Sequence, residues 1–499
     1  MDKEFVLNLA KKVNALGGRA YIVGGWTRDL VMLKQEPGKP LPFVPFDDVP
    51  DAKDIDIEVY GVSQADLEVI LAKLGKVDLV GKSFGVYKHG EFDISLPRTE
   101  TKSGTGHKGF DIVPDPSLPP EQAVLRRDLT INAILYDPLT GTFMDPTGGM
   151  FDIETGTLRY VDRNTFGEDP LRVYRVMQFI GRFGFSPTTD LVRLCTEMVA
   201  SGELDTLPRE RVYEEFNKLL LRGVHPSLGL EFLLKIGAVE KYFPELYALR
   251  GSPQHPDWHR EGDVWNHTML VIDSAVRERD NSSSPAALMY AALCHDLGKP
   301  STTRVEDGKL VSKGHDEAGE PPTRRFMERL TNDVKLIEEV AFMVRHHLVI
   351  DCWAVDKKVR KSAGARFFRK MEAAGVTCSD IMALTTADNE GRVIGEEQTK
   401  DFDARMENVR WFGEFMASLT VTAIDTRVLP KPLVTGNDLI ALGLKPGPAF
   451  KELLDKGFNF QMDNPDADKA AVLEVVKRSR EFCASPANSP DNPTKEGEQ

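Results

Sequence analysis

Apolar positions change their period along the chain, and that change divides it. From Leu7 to Leu16 they recur at helical spacing, which predicts an amphipathic helix. Ala20-Tyr21-Ile22-Val23 reads as a short buried strand, ended by the turn residues Gly24-Gly25. Asp54 to Tyr60 and Phe92 to Leu96 alternate polar and apolar residues, the period-two pattern of a half-buried strand. Proline-rich stretches at 37–50 and 112–120 read as loops. From about Asp162 the pattern is helical through 250, and helices dominate 260–480. The segment after Cys483 is polar, with Pro, Asn and Ser, and reads as disordered. No fixed-period repeat interrupts this order.

Composition narrows the class. A chain of 499 residues should hold more than one domain, and 41% hydrophobic with 28% charged residues is ordinary for a soluble protein. No uninterrupted apolar run reaches the length of a membrane span, and the N-terminus lacks the basic start, apolar run and cleavage site of a signal peptide. The five cysteines (Cys195, Cys294, Cys352, Cys378, Cys483) have no CxxC spacing. They read as reduced thiols, and the chain as cytoplasmic. A net charge of −14 argues against a protein coated in nucleic acid but leaves room for one local basic groove. The basic clusters Arg126-Arg127, Lys357-Lys358 with Arg360-Lys361, and Arg366 with Arg369-Lys370 are, each alone, more often solvated helix faces.

Chemistry concentrates first in Asp54-Ile55-Asp56-Ile57-Glu58. On a strand, residues two apart share a face, so Asp54 and Asp56 are expected to point the same way. Paired carboxylates suit Mg²⁺ that also contacts substrate phosphates, and two such ions can activate a hydroxyl and stabilise departing pyrophosphate. Asp93 offers a third carboxylate on another strand, and Glu58 competes for the same face. Upstream, Gly24-Gly25-Trp26-Thr27-Arg28-Asp29 reads as a glycine turn opening a helix. Such a turn presents backbone N–H groups to phosphate, and Arg28 adds charge-assisted bonds.

These pieces form a longer pattern. Tyr21-Ile22-Val23-Gly24-Gly25 with Arg28-Asp29, Asp54-Ile55-Asp56, Leu96-Pro97-Arg98-Thr99-Glu100, and Arg126-Arg127-Asp128-Leu129-Thr130-Ile131-Asn132-Ala133 follow one another in order. Asp145-Pro146, Gly148-Gly149 and Glu168-Asp169-Pro170-Leu171-Arg172 continue it. The whole resembles the bacterial tRNA nucleotidyltransferase and poly(A) polymerase family, class II of the DNA polymerase beta-type superfamily, over most of the chain to about residue 460. The resemblance implies Asp54, Asp56 and Asp93 as the catalytic carboxylates, with Asp54 and Asp56 holding Mg²⁺. It implies nucleotide contacts from Gly24, Gly25, Arg28, Arg98, Arg127, Asp128, Asn132, Glu168, Asp169, Arg172 and Arg175. It also implies tRNA, ATP and CTP as partners, with no membrane.

Asp169 and Arg172 can be read two ways. Asp169 suits a helix cap before Pro170, and Arg172 lies one turn on beside it. By resemblance the pair meets the Watson–Crick edge of the incoming base. A carboxylate only accepts and a guanidinium only donates. Adenine and cytosine each set an amino donor beside a ring acceptor, whereas guanine and uracil reverse the order. The pair therefore takes ATP and CTP and leaves the other two with buried groups unpaired, at about 1–3 kcal/mol each. The change from C to A is placed by the family in a loop before the Arg-Arg-Asp motif. Here that loop is Thr99 to Phe110, continuing to about Leu125, with three glycines suited to a moving lid.

A second constellation lies within 255–400: His267, His295-Asp296, His315, His346 and Asp388, with Asp316 and His347 as nearby alternatives. Ala291-Ala292-Leu293-Cys294-His295-Asp296-Leu297-Gly298-Lys299 resembles the signature of the HD phosphohydrolase superfamily, and His267 and Asp388 match its first and last ligands. Imidazole with carboxylate suits a divalent metal that activates water against a phosphoester. The resemblance implies phosphatase or 2′,3′-cyclic phosphodiesterase activity. Thr435-Gly436-Asn437-Asp438-Leu439 through Gly443-Leu444-Lys445-Pro446-Gly447 resembles the C-terminal region of HD-bearing members. The expected fold is α+β, a mixed-sheet nucleotidyltransferase head followed by an all-helical neck, body and HD-type domain. The boundaries are 1–137 for the head, 138–250 for the neck and body, 251–400 for the HD region, 401–483 for a C-terminal helical region and 484–499 for the tail. The competing readings are a poly(A) polymerase, an enzyme that adds A only, and an HD hydrolase with an inactive transferase module.

Overall fold

The computed structural model describes residues 2–39, 41–51, 54–75, 78–80, 86–102, 110–395, 399–423 and 426–479. The centre of the expected lid, Ser103 to Gly109, and the tail after Cys483 lie outside the described residues. The chain forms two compact units: Met1–Tyr247 with Arg329–Thr331, and Ala248–Glu328 with Asn332–Gln499.

The first unit opens with α1 (Lys3–Ala15), whose first turn is capped by the Asp2 side chain accepting from Phe5 N–H. Next come β1 (Arg19–Val23), α2 (Gly25–Lys34), β2 (Ile55–Tyr60), α3 (Gln64–Leu74), β3 (Asp78–Val80), β4 (Val86–His89) and β5 (Phe92–Ser95). They are followed by β6 (Arg98–Lys102), β7 (Phe110–Pro114), β8 (Leu135–Asp137) and β9 (Thr142–Met144). One sheet takes the order β3-β4-β5-β2-β1-β8-β9, and β6 pairs with β7 as a separate hairpin. Within the sheet β2 and β5 run parallel and the other neighbours antiparallel, so it is mixed.

Alternation along β2 sorts its faces. Ile55, Ile57 and Val59 join Leu9, Ile22, Leu30 and Ile94 in one buried core. Tyr60, on the other face, joins Tyr21, Val23, Ala133 and Leu135 in a second cluster. The register sets Val23 opposite Asp56 and Asp93 beside Asp56. Two neighbouring strand pairs thus bring the glycine turn and two carboxylates together. Asp54 is not part of the strand. It precedes β2 with φ +57°, a left-handed conformation that aspartate tolerates because its short side chain bonds locally. Asp54 therefore does not share a strand face with Asp56, contrary to the expectation from alternation.

Beyond the sheet and the hairpin this unit is helical, apart from a short parallel pairing of Thr157-Leu158 with Ser186-Pro187. Leu171–Phe183 packs against Arg209–Arg222 and Pro226–Lys235. In the second unit, Pro285–Cys294 has no polar face and is buried from Ala287 to Cys294. It packs among Val264–Glu278, Val334–Arg345 and Cys378–Glu390. Toward its end, Thr435 and Asp438 form a capping box, and Val434, Leu439, Leu444, Leu453, Val472 and Val476 share a small core. Among the described residues Cys195, Cys294, Cys352 and Cys378 form no disulfide, and the first two are buried. Among the described residues no helix is long and apolar enough to cross a membrane.

Candidate functional sites

Gly24 leaves β1 at φ +76° and leads directly into α2. A Cβ there would lie 3.0 Å from Asp56 Oδ2 and 3.6 Å from Arg127 Nη1. Glycine is what lets the turn approach Asp56. Asp56 keeps solvent contact, yet partial burial in the cleft is the largest push raising its carboxyl above the ordinary value; Arg127 opposes it, while Asp93 and Glu58 add to it. Asp93 Oδ1 lies 3.5 Å from Lys88 Nζ across the β4–β5 pair. Glu58 shares the Asp56 face but is 1% exposed, accepts from Tyr60 Oη at 2.7 Å, and is paired with Arg126 and Arg127. Burial works to raise its pKa; Arg127 and Arg126 overcome this and hold it below the usual range. Glu58 thus aims two arginines rather than standing open to a ligand.

The expected nucleotide contacts form a connected network. Arg28 Nη1 donates to Asn132 Oδ1 at 2.8 Å, Asn132 Nδ2 to Asp128 Oδ1 at 3.0 Å, and Arg175 Nε to Asp128 Oδ2 at 2.6 Å. Arg28 also pairs with Asp29 at 2.6 Å and lies over the rings of Phe179 and Phe183. Asp128 is buried, which would raise its pKa, but Arg175 and Asn132 hold the carboxyl well below its usual range. Asp169 accepts from Leu171 N–H at 3.1 Å, capping the helix that follows, and from Arg211 at 3.1 Å. Arg172 donates to the carbonyls of Thr165 at 2.5 Å and Arg126 at 2.6 Å, tying its helix to the Arg-Arg-Asp segment.

These groups share one cleft of about 830 Å³, lined by Gly24, Gly25, Arg28, Asp54, Asp56, Arg127, Asp128, Asn132, Asp169, Arg172 and Arg175. Arg98 opens β6 and Glu168 ends the helix Arg163–Glu168; neither lines the cleft. The sequence reading missed Arg182, Arg211, Lys218 and Arg222, which do. Their signal is helical spacing: Arg175 and Arg182 are two turns apart, as are Arg211 and Lys218. Burial, with Arg28 and Arg222 nearby, lowers the Arg182 pKa to about 10. Like charges gathered in this way suit a polyanionic ligand.

The second site stands where the helices around Pro285–Cys294 converge. His267 Nε2 lies 3.0 Å from Asp388 Oδ1 and 3.4 Å from His295 Nε2. His295 Nε2 is 3.2 Å from Asp296 Oδ2, and His315 Nε2 is 3.4 Å from Asp296 Oδ1 and 3.2 Å from His347 Nε2. Among the described residues three trios have ligand atoms within 4.8 Å of one another: His259-Glu261-His267, His267-His295-Asp296 and Asp296-His315-His347, the last two sharing Asp296. The Nδ1 atoms of His295, His315 and His347 meet the carbonyls of Ala292, Ser312 and Val344 at 2.8, 2.7 and 2.6 Å. A carbonyl only accepts, so each Nδ1 carries the proton and each Nε2 lone pair faces the cluster. Lone pairs and carboxylates converging at these distances call for a cation, and the donor set fits a divalent metal.

His346 is not in this cluster. Its ring packs on Phe342 and Phe367, with centroids 4.5 and 5.3 Å away, and His347 takes the inward place. The helix Val334–Arg345 ends just before the pair, and the chain turns as it leaves the helix. Asp296, His315, His347 and Asp388 line a pocket of about 240 Å³ together with Lys299, Arg392, Arg405 and Trp258.

Residues 20–159 match the family model described as the poly A polymerase head domain, and 184–249 match the probable RNA and SrmB-binding site of polymerase A. The multifunctional CCA protein of Mannheimia succiniciproducens is 35% identical over 389 residues, covering 76% of this chain and 86% of that one. That of Actinobacillus pleuropneumoniae serotype 5b is 34% identical over 413 residues, covering 81% and 92%. Among solved structures, the Bacillus stearothermophilus CCA-adding enzyme in complex with CTP aligns over 94% of this chain and 96% of its own, with TM-score 0.59 and 21% identity. The Thermotoga maritima CCA-adding enzyme complexed with tRNA aligns over 95% and 94%, with TM-score 0.56 and 18% identity. At these identities the two structures establish a shared fold.

Proposed function

We propose, on the premise that this chain belongs to the multifunctional CCA protein family of tRNA nucleotidyltransferases, that its first unit builds and repairs the 3′-terminal CCA of tRNA from CTP and ATP. The observation that carries this reading is one cleft holding Asp54 and Asp56 with Asp169 and Arg172, between the groups of a phosphoryl-transfer site and those of a base reader. The 3′ hydroxyl of the tRNA attacks the α-phosphorus of the nucleotide, a new P–O bond forms, and pyrophosphate departs. Asp54, Asp56 and Asp93 would hold divalent ions, for which hard oxygen donors beside a phosphate turn suit Mg²⁺. Bound there, such ions activate the hydroxyl and offset charge on the leaving group.

The chain's own groups do the rest. The Gly24-Gly25 turn at the start of α2 offers N–H groups to the triphosphate. Arg127, aimed by Glu58, adds charge from the other wall. Asp169 accepts from the amino group of adenine or cytosine, and Arg172 donates to the neighbouring ring nitrogen. Asp169 is tied to Leu171 N–H and Arg211, and Arg172 to the carbonyls of Thr165 and Arg126, partners that would orient the edge the pair presents.

The second unit is read as a metal-dependent phosphohydrolase for phosphomonoesters or 2′,3′-cyclic phosphates. His267, His295, Asp296, His315, His347 and Asp388 would hold the metal, with Asp296 common to two of the trios. Bound metal supplies an activated water. Lys299 and Arg392 line the same pocket and pair with Asp296 and Asp388 at 2.7 and 2.6 Å; with a metal on those carboxylates they would be free to meet phosphate oxygens. The test is a double dissociation. Asp56→Ala should lower nucleotide addition at least about 100-fold and spare cyclic-phosphate hydrolysis, whereas Asp296→Ala should do the reverse. An Asp56→Ala protein that adds nucleotides near the wild-type rate would remove Asp56 from the chemistry.

A further inference from the structure

Glu261 stands outside both ligand trios that share Asp296. It lies just before the helix Val264–Glu278, and its side chain is 3% exposed. Its Oε1 is 2.8 Å from His259 Nδ1 and 3.0 Å from His267 Nδ1, and its Oε2 accepts from Val393 N–H at 3.0 Å. A carboxylate only accepts, so the imidazole nitrogens facing it carry their hydrogens. His259 Nδ1 bonds to that oxygen, whereas His267 Nδ1 stands 3.0 Å away but out of line for a hydrogen bond; the carboxylate charge there favours N–H at Nδ1, with the lone pair at Nε2 directed at Asp388 and His295. The other three rings of the cluster reach the same tautomer through backbone carbonyls. Of the four, His267 is the ring whose Nδ1 faces a side-chain carboxylate in place of a carbonyl, and that carboxylate is nearly removed from water.

We propose that Glu261 is the positioning residue of the second site, holding His267 in the tautomer and orientation that let it bind a divalent cation. The inference rests on reading the second unit as a metal-dependent phosphohydrolase. A carboxylate behind a ligating imidazole fixes the ring and makes it more basic, and losing such a partner weakens metal affinity about 10–100-fold. Glutamine is close in size but neutral, and its amide nitrogen would turn a donor toward one of three N–H groups that need an acceptor.

The experiment titrates the full-length chain with Co²⁺, following its visible absorption. Wild type, Glu261→Gln and Glu261→Asp are compared, with the metal-free melting temperature of each recorded. Expected for Glu261→Gln is a Co²⁺ dissociation constant raised about 10–100-fold, an altered cobalt spectrum, and hydrolysis of a nucleoside 2′,3′-cyclic phosphate regained at saturating metal. CCA addition should be unchanged. Glu261→Asp keeps the charge but retracts it, and should fall between the two. Wild-type affinity and spectrum in both variants would overturn the proposal, as would a lowered metal-free melting temperature with unchanged affinity. A wild-type protein that binds Co²⁺ but hydrolyses nothing would sink the phosphohydrolase reading and leave the role of Glu261 to be decided by the spectra. One that binds no Co²⁺ would overturn both.

Discussion

On the function proposed for the first unit, base choice is decided by single side chains. Asp169 and Arg172 offer an acceptor beside a donor, and a buried mismatch costs about 1–3 kcal/mol per unpaired group. Replacing either by alanine should therefore raise GTP and UTP incorporation relative to CTP by about 10-fold or more, since 1.4 kcal/mol is a factor of ten. Unchanged ratios in both variants would leave Asp169 as a helix cap held by Arg211, and Arg172 as a tie to the carbonyls of Thr165 and Arg126. Residue-level reading of the sequence had a clear reach and a clear limit. Residue types and order located the carboxylates, the glycine turn and the His-Asp pair. What was not legible depended on backbone geometry at the ends of elements. Asp54 is turned out of the strand pattern by one positive φ, and the choice between His346 and His347 depends on how the helix ending at Arg345 unwinds. Arg211 was hidden because its partner Asp169 is 42 residues away.

Elements decide what can move. β1, β2 and β5 are neighbours in one sheet with cores on both faces, so the turn and the strand carboxylates sit on a rigid base. The β6–β7 hairpin is paired from Arg98 with Pro114 to Lys102 with Phe110, and among the described residues it joins no larger sheet. Its connection, Ser103 to Gly109, carries three glycines and lies outside the described residues. The change from C to A asks the pocket to accept a larger base after the primer has grown. Shortening that connection, or replacing its glycines by proline, should leave both C additions working and stall the final A. Sequenced 3′ ends stopping at CC support the lid. Complete CCA ends at the normal rate would make the segment a connector. Helix faces were only partly legible: Arg175 was expected in the cleft by resemblance, but the spacing that adds Arg182, Lys218 and Arg222 becomes meaningful once two helices are known to share a wall.

Over the whole molecule, a net charge of −14 coexists with one cleft lined by Arg28, Arg126, Arg127, Arg172, Arg175, Arg182, Arg211, Lys218 and Arg222. An acidic surface with a local basic cleft admits a polyanion at one place and discourages it elsewhere. The α+β organisation was legible because the hydrophobic period itself changes along the chain. The division into two compact units was less so, since Arg329–Thr331 joins the first unit from within the helical sequence of the second half. Such long-range packing leaves no local mark on periodicity. The central claim is that the first unit is a CCA-adding enzyme. Its most direct test gives the wild-type protein all four nucleoside triphosphates and tRNA lacking the whole CCA, with an oligo(A) primer alongside, and sequences the 3′ ends. Expected are tRNA products that end at CCA and stop, with no extension of the primer. A run of A on either substrate, or addition only to tRNA already ending in CC, would contradict it.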